Sequence, residues 1–172
     1  MADALDHGMS RSEAVVWITG LPSSGKSTLA ARLRQRLASA VVLDGDEVRA
    51  ALDMHGYDPA ARDAFYRALA SLAALIARQG VVAIVPATAP SREQRRRARE
   101  LAPRFVEVFV DTPLAECTRR DVKGLYAAAA RGAVSTLPGG GAAYEPPSAP
   151  EVVAHGGEDE RALARILDLL RS

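Results

Sequence analysis

Cysteine is almost absent from this chain of 172 residues, because Cys117 is its only one. A single thiol excludes a disulfide framework and a zinc site built from clustered cysteines, and it is typical of a reducing cytoplasm. Long apolar runs are missing too. No stretch reaches the roughly 18 residues that cross a bilayer, and the opening residues lack the apolar core of a signal peptide. We therefore expect a cytoplasmic protein that does not enter a membrane.

The chain also lacks an excess of charge of either sign, because 22 basic and 21 acidic residues leave a net charge of +1. This balance argues against a nucleic-acid partner, while a local anion pocket stays possible. Hydrophobic residues at 48% and charged residues at 25% exclude disorder, collagen and coiled coil. Lysine is scarce, since Lys26 and Lys123 are the only two. A lysine inside a phosphate-binding motif is therefore a strong signal.

Hydrophobic patterning predicts strands that alternate with helices. The predicted strands are continuous apolar runs over residues 14–19, 40–43, 81–85 and 105–110, with a last short one over 151–154. The predicted helices cover 26–38, a short segment from Asp46, a long segment from Pro59 to Gly80, an arginine-rich segment from Ser91 to about Leu101, a segment capped by Thr112 with Pro113 in its first position, and a closing segment around 163–170. This alternation predicts a doubly wound α/β sandwich with a mainly parallel sheet.

The predicted domain organisation is simple. We expect a flexible N-terminus over residues 1–13 and a single domain over residues 14–172. Within that domain, residues 121–150 are rich in alanine, glycine and proline, which predicts a mobile lid or a long loop.

Residues 20–28, GLPSSGKST, match the phosphate-binding pattern G-x-x-x-x-G-K-[ST] between the first strand and the first helix. Glycines let the backbone wrap a phosphate, and the helix N-terminus adds positive potential. We expect ATP here, with Lys26 at the β- and γ-phosphates and the Ser27 hydroxyl on Mg²⁺. A glycine turn with an incidental lysine is the alternative. The predicted ATP-binding residues of the loop are Gly20, Leu21, Pro22, Ser23, Ser24, Gly25, Lys26, Ser27 and Thr28.

A second polar segment, DGDEVR, follows the second predicted strand. In open parallel sheets the carboxyl ends of the strands border the ligand crevice, so Asp44 and Asp46 should face the phosphate-binding loop. Either carboxylate could act as the catalytic group that orients an acceptor hydroxyl, and Arg49 could bind an acceptor anion. The alternative is a plain turn in which Asp46 caps the helix that follows.

In these segments the chain resembles the adenylylsulfate kinases. The resemblance rests on GLPSSGKST, DGDEVR, FVEVFVDTPLAEC, RDVKGLY and YEPPSAPE, which occur in that family's order and spacing from about Val15 to the C-terminus. It implies a three-layer P-loop kinase sandwich that closes a lid over its substrates. It also implies transfer of the γ-phosphate of MgATP to the 3′-hydroxyl of adenosine 5′-phosphosulfate (APS), and dimers are common in the family.

The resemblance assigns roles to matching positions. It implies that Asp44 and Asp46 flank the reacting hydroxyl and that Arg49 and Arg62 hold the phosphosulfate. Further acceptor-binding positions are Tyr57, Phe65, Thr88, Lys123, Leu125 and Leu137. We also expect Arg119 and Arg120, just before the lid, to face ATP when the lid closes.

Several acceptor-side positions depart from the family pattern. Glu47 and Phe65 each stand where the family has asparagine, and Ala89 replaces a serine in the segment after the third strand. Leu137 replaces a phenylalanine that stacks on the acceptor base. Loss of hydrogen-bonding partners can change which substrate a site accepts.

These departures keep alternatives open. One is a kinase for a different small anionic or nucleotide-like alcohol, and another is a non-catalytic ATP-binding regulatory protein. A GTPase is disfavoured because the chain lacks an N-K-x-D motif.

The helix after the third strand carries four arginines on one face, at positions 92, 95, 96 and 99. Glu93 and Glu100 lie among them, so we expect a solvated surface with internal ion pairs rather than an anion-binding patch.

Overall fold

Residues 13–172 are described by the structure, a computed structural model. All but the last residue of the predicted flexible segment at 1–13 lies outside the described residues. The described chain forms one parallel five-stranded sheet in the order β2-β3-β1-β4-β5, which confirms the predicted α/β class. Within this part of the chain, no helix combines the length and apolar character that crossing a membrane requires.

The strands are short and lie close to the predicted positions. They are β1 (Val15–Thr19), β2 (Ala40–Val42), β3 (Val82–Pro86), β4 (Phe105–Val110) and β5 (Val152–Ala154). β1 lies at the centre, with Val16 beside Ile84 of β3 and Val106 of β4. Since all the strands are parallel, their carboxyl ends meet at one edge of the sheet.

Seven helices occur among the described residues. They are α1 (Lys26–Gln35), α2 (Gly45–Ala51), α3 (Pro59–Ala77), α4 (Arg92–Leu101), α5 (Leu114–Arg120), α6 (Leu125–Ala130) and α7 (Glu160–Arg171). Asp58 caps α3, and Ser91 and Gln94 form the predicted capping box of α4. α1 ends three residues earlier than predicted.

The two faces of the sheet bury separate cores. Ile18 and Ile84 face one core, which α1 and α7 complete with Leu33 and Ile166. Trp17 lies in the other core, against α3 and α4. Alternating residues of one strand thus enter opposite cores, as expected for a sheet covered on both faces.

The predicted cap of α5 is wrong, and the cap that the alternative interpretation offered for α2 does not form. Thr112 does not cap α5, because its Oγ1 donates to the Ser24 carbonyl at 2.8 Å and the helix begins only at Leu114, after Pro113. Asp46 does not cap α2 either. Asp44 does, since its Oδ1 accepts from the Asp46 amide at 2.9 Å. Both segments start their helices one or two residues away from the predicted position.

The segment over residues 121–150 contains more regular structure than the predicted loop. It contains α6, whose first amides donate to the Asp121 carboxylate. These hydrogen bonds outweigh the desolvation of that carboxyl and hold its pKa below the ordinary value. Tyr126 and Leu137 pack with the buried Cys117 into a small core of their own. Residues 121–150, which we call the lid, therefore pack against the rest of the chain.

Both ends of the described chain lie near the start of β4. The Val15 amide donates to the Arg104 carbonyl at 2.9 Å, and the Arg104 guanidinium donates to the Ser172 hydroxyl at 3.1 Å. This is the amino edge of the sheet, opposite the edge at which the strands end.

Candidate active site

A cavity of about 460 Å³ lies at the carboxyl edge of the sheet. The phosphate-binding loop forms one wall, α2 and α3 form a second, and residues of the lid form a third. The lining residues are Pro22, Ser23, Gly25, Lys26, Ser27, Thr28, Asp44, Gly45, Asp46, Arg49, Tyr57, Arg62, Phe65, Tyr66, Pro86, Ala87, Thr88, Arg120, Val122, Lys123, Leu125, Leu137 and Pro138. Sequence motifs that are distant along the chain therefore meet in one space.

Two glycines of the phosphate-binding loop allow its tight path. Gly20 and Gly25 have φ values of 152° and 108°, a region that side chains rarely adopt. A Cβ on Gly20 would lie 2.7 Å from the Val110 carbonyl oxygen, and one on Gly25 would lie 2.5 Å from the Gly157 amide nitrogen. Both positions therefore require glycine, for conformation and for space.

Lys26 turns back over this loop. Its Nζ donates to the carbonyls of Gly20, at 3.0 Å, and Leu21, at 2.7 Å. Desolvation lowers the pKa of Lys26 to about 8. The ammonium is thus held at the loop that the sequence pattern assigns to phosphates.

The two aspartates after β2 both reach the cavity, with different partners. Asp44 uses one carboxylate oxygen to cap α2. Asp46 forms an ion pair with Lys123 at the start of the lid, and this hydrogen bond is the main reason that the pKa of Lys123 is raised. The lid therefore contacts the aspartate segment directly.

Arg49 is buried between two aromatic rings. Its Cζ lies 4.7 Å from the ring centre of Tyr57 and 3.8 Å from that of Phe65. Its Nη1 donates to the carbonyls of Met54 and Gly56, both at 3.1 Å. Phe65 consequently serves both as a core residue and as part of the cavity wall.

Most of the other predicted acceptor-side residues also line the cavity. Arg62 donates to Thr136 of the lid at 3.2 Å, next to the buried Leu137. Thr88, Lys123 and Leu125 complete this side. Glu47 is exposed and is not a lining residue, so its charge does not enter the cavity.

Four predicted ATP-binding residues do not line the cavity. Arg119 and Arg120 both pair with Glu116. Arg119 is 78% exposed, whereas Arg120 also lines the cavity. Gly20 and Ser24 are buried within the loop. Leu21 packs against the small core formed by Cys117, Tyr126 and Leu137. The backbone positions of these three residues still shape the loop.

Several contacts of the site were not predicted from the sequence. Tyr126 donates from its hydroxyl to the Pro22 carbonyl at 3.0 Å, which ties the lid to the phosphate-binding loop. Gly157, after β5, packs against Gly25 and Thr28. Tyr66 lines the cavity beside Phe65. Of these three contacts, only that of Gly157 had a signal in the sequence, namely the glycine pair Gly156-Gly157.

The predicted solvated face of α4 is only partly solvated. Arg95 is buried, and its Nε donates to the Glu107 carboxylate of β4 at 2.8 Å. Arg96 remains exposed and pairs with Glu93 and Glu100. The expectation was wrong for Arg95 because an inward-facing acid on a neighbouring strand provides its partner.

The donor atoms in the cavity fit Mg²⁺. The metal prefers oxygen ligands and keeps several of its waters, so it needs one or two protein groups in addition to substrate phosphates. The lining includes the Ser27 hydroxyl and the carboxylates of Asp44 and Asp46. Within residues 13–172, no cluster of three or more His, Cys, Asp or Glu residues could hold a metal ion unaided. This donor set suits a metal that arrives with a nucleotide.

A glycine-rich loop at the carboxyl edge of a parallel sheet, faced by aspartates, arginines and a lid, defines a kinase of the P-loop class. The family model described as adenylylsulphate kinase matches residues 12–155. The chain belongs to the adenylylsulphate kinase family.

Individual relatives agree with this membership. The chain is 40% identical over 167 residues to the adenylyl-sulfate kinase of Synechococcus sp. (strain JA-3-3Ab), with 94% of each chain covered. It is 43% identical to the bifunctional enzyme NodQ of Azospirillum brasilense, of which it spans only 27%. Among solved structures, the APS kinase CysC of Mycobacterium tuberculosis in complex with AMPPNP and APS superposes with a TM-score of 0.86. That chain is 38% identical, and the match covers 92% of this chain and 98% of the other.

Proposed function

We propose that this protein transfers the γ-phosphate of MgATP to the 3′-hydroxyl of APS and so forms 3′-phosphoadenosine 5′-phosphosulfate. The observation that carries the proposal is the single cavity that joins the phosphate-binding loop to the aspartate and arginine segments. Family membership supports the same reaction.

On the ATP side, the amides of the phosphate-binding loop and Lys26 bind the β- and γ-phosphates. A lysine pKa lowered by desolvation rises again when phosphate charge arrives, so Lys26 binds ATP as an ammonium. Arg120 lines the cavity, and it would contact the nucleotide. In phosphoryl transfer these groups act by positioning and by neutralising charge.

Ser27 would hold Mg²⁺ together with the triphosphate, and the carboxylates after β2 would hold its water ligands. When bound, Mg²⁺ neutralises charge on the phosphates during transfer. The chain's own contribution is to fix the Ser27 hydroxyl at the start of α1, directly beside Lys26.

On the acceptor side, Asp46 or Asp44 would accept or orient the proton of the attacking hydroxyl. Asp46 is the better candidate, because one oxygen of Asp44 is already engaged in capping α2. The charge of the phosphosulfate would be neutralised by Arg49, Arg62 and Lys123. The adenosine would be surrounded by Tyr57, Thr88 and Leu125. The Asp46–Lys123 pair has to open when the acceptor enters, since both groups then take new partners.

The lid would exclude water from the closed site. Its contacts with the loop, through Tyr126, and with α3, through Arg62, bring the chain over both substrates. Exclusion of water favours transfer to the acceptor over hydrolysis of ATP.

A steady-state assay of ADP release tests the proposal. Purified protein with MgATP should release ADP when APS is added and should form a 3′-phosphorylated product that chromatography identifies. Adenosine 5′-monophosphate serves as the matched control, because it has the same 3′-hydroxyl without the sulfate. No stimulation by APS, with intact ATP binding, would reject APS as the acceptor.

A second candidate is a kinase for another small anionic alcohol. The observation that favours it is the apolar wall formed by Phe65 and Leu137, which offers no hydrogen bond to a base. Stimulation of ADP release by an alcohol other than APS would select this candidate.

We also infer that the protein acts in the cytoplasm and that it forms a homodimer, as is common in the family. Sedimentation of the purified protein tests the dimer, because a mass near twice 18.2 kDa is expected and a mass near 18.2 kDa would contradict it.

A further inference from the structure

Hydrogen bonds to the backbone of three successive residues fix the loop after β3. This segment, residues 87–90, contributes Ala87 and Thr88 to the acceptor side of the cavity. The Ala87 amide donates to the Ile18 carbonyl at 3.0 Å, and the Thr88 carbonyl accepts from Thr19 Oγ1 at 2.6 Å. The next residue, Ala89, is in the left-handed region with φ 37° although it is not glycine.

A strained residue of this kind persists only when its surroundings hold it. The Ala89 amide donates to the Tyr66 hydroxyl at 3.1 Å, and the Ala89 carbonyl accepts from Arg95 Nη1 at 2.5 Å. Arg95 comes from α4 and does not line the cavity. A buried side chain outside the cavity therefore fixes the conformation of a loop that lines it.

Arg95 also holds the chain where it leaves the lid. Its Nη2 donates to the Glu145 carbonyl at 2.5 Å, and the Glu145 amide donates to the Pro90 carbonyl at 2.8 Å. The neighbouring Tyr144 lies with its ring 5.8 Å from the Arg95 guanidinium, and its hydroxyl hydrogen-bonds Thr19 Oγ1 at 3.0 Å. One guanidinium thus joins the acceptor-lining loop to the end of the lid.

The charge of Arg95 is balanced away from the cavity. Its Nε donates to Glu107, which also accepts from Arg99 at 3.4 Å. The ion pair with Glu107 sets the orientation of the guanidinium, so that both Nη groups point to carbonyls. Planar geometry allows an arginine to make these three contacts at once, which a lysine ammonium at the same place could not do.

We propose that Arg95 is a positioning residue for the acceptor: it fixes the loop over residues 87–90 and the end of the lid in the arrangement that binds the acceptor. Among residues 13–172, the hydrogen-bond partners of Arg95 are Ala89, Glu107 and Glu145, which lie outside the phosphate-binding loop, so Arg95 should affect the two substrates differently. The kinetic test of this inference rests on the proposed function. The structural test needs no acceptor and does not depend on that function.

Removal of Arg95 alone leaves Glu107 buried without its main partner, which could unfold the protein. The informative variant is therefore the double substitution Arg95→Met with Glu107→Met, because an apolar pair of similar volume can replace a buried ion pair with little loss of stability. Arg95→Lys is the conservative variant, which keeps the charge but not the planar geometry. Arg96→Met is the matched control, because Arg96 lies on the same helix, is exposed, and donates its hydrogen bonds to Glu93 and Glu100.

Kinetics should separate the two substrates. In the double variant we expect kcat/KM for the acceptor to fall by at least about tenfold, since small displacements of positioning groups have effects of this size. The KM for ATP should stay within about twofold of the original, Arg95→Lys should not restore the acceptor value, and Arg96→Met should match the unchanged protein. An equal loss for both substrates, or rescue by lysine, would overturn the proposal.

Hydrogen exchange provides a test that needs no acceptor. In the double variant, the amides of Ala87 and Ala89 in the loop and of Glu145 at the end of the lid should lose protection, while those of β1 and α1 keep theirs. Unchanged protection of both segments would also overturn the proposal. If the unchanged protein fails to phosphorylate APS, the proposed function is rejected, and the exchange result still decides whether Arg95 holds the loop.

Discussion

Substitution of Gly157 by alanine should weaken ATP binding although Gly157 does not line the cavity. Gly157 follows β5 and lies against the start of α1. A Cβ there would lie 2.6 Å from both the Gly25 carbonyl oxygen and Thr28 Cβ. Gly157 has no positive φ, so alanine acts through space alone.

The size of the effect follows from these distances. Ordinary contacts begin at 3.4 Å, so the loop after β5 and the phosphate-binding loop must separate by about 0.8 Å. Overpacking of this kind destabilises a protein by roughly 1–3 kcal/mol. If bound ATP restores the original separation, the same energy appears in the dissociation constant, which rises about tenfold for each 1.4 kcal/mol.

Titration calorimetry of MgATP measures the dissociation constant, and urea unfolding measures stability. Gly80→Ala is the control, because Gly80 also requires a special backbone, with φ 80°, but has open space around it at the end of α3. We expect both variants to lose stability and only Gly157→Ala to lose affinity. Unchanged ATP affinity in Gly157→Ala would refute the idea that this contact fixes the phosphate-binding loop.

Three further predictions concern single side chains. Lys26→Met should lower phosphoryl transfer by about a hundredfold or more at an unchanged melting temperature, because one preorganised charge contact is lost, and retained activity would contradict its assignment. Tyr126→Phe removes the hydrogen bond from the lid to the Pro22 carbonyl, which is worth about 1 kcal/mol. ATP hydrolysis without acceptor should therefore rise several-fold relative to transfer in the ADP-release assay. An unchanged ratio of hydrolysis to transfer would show that this hydrogen bond does not hold the lid. Asp159→Ala should lower the free energy of unfolding by about 1 kcal/mol at pH 7, since Asp159 caps α7. Hydrogen bonds from the amides of His155 and Ala162 hold the pKa of Asp159 below its ordinary value of 3.8, so the charged carboxylate stabilises the fold above that pH, and this stabilisation is lost as the pH falls through the lower folded pKa. Urea unfolding should show the difference in unfolding free energy between the original protein and Asp159→Ala shrinking at that low pH. A difference that stays constant with pH would contradict this role for the charge.

Local signals account for the parts of the site that the sequence could predict. The phosphate-binding loop needs only a buried strand, two glycines and the start of a helix, all within residues 15–35. The capping box of α4 is likewise complete within Ser91 and Gln94. Features of this kind depend on backbone geometry over a few residues, and so they can be predicted from spacing.

The remaining features depend on partners far along the chain. Thr112 is a residue type that commonly caps helices, but its hydroxyl donates a hydrogen bond to the carbonyl of Ser24, 88 positions away in the chain. Arg95 belonged to a polar helix, and Glu107 on β4 determined that it is buried. Tyr126 had no local indication of its bond to Pro22. Tertiary pairing therefore decided which of several chemically similar side chains contribute to the site.

The position of Ser172 has a consequence for fusions made to this chain. Ser172 contacts Arg104 just before β4, at the amino edge of the sheet, whereas the cavity lies at the carboxyl edge. A reporter domain fused after Ser172 would therefore be attached at the edge of the sheet opposite the cavity.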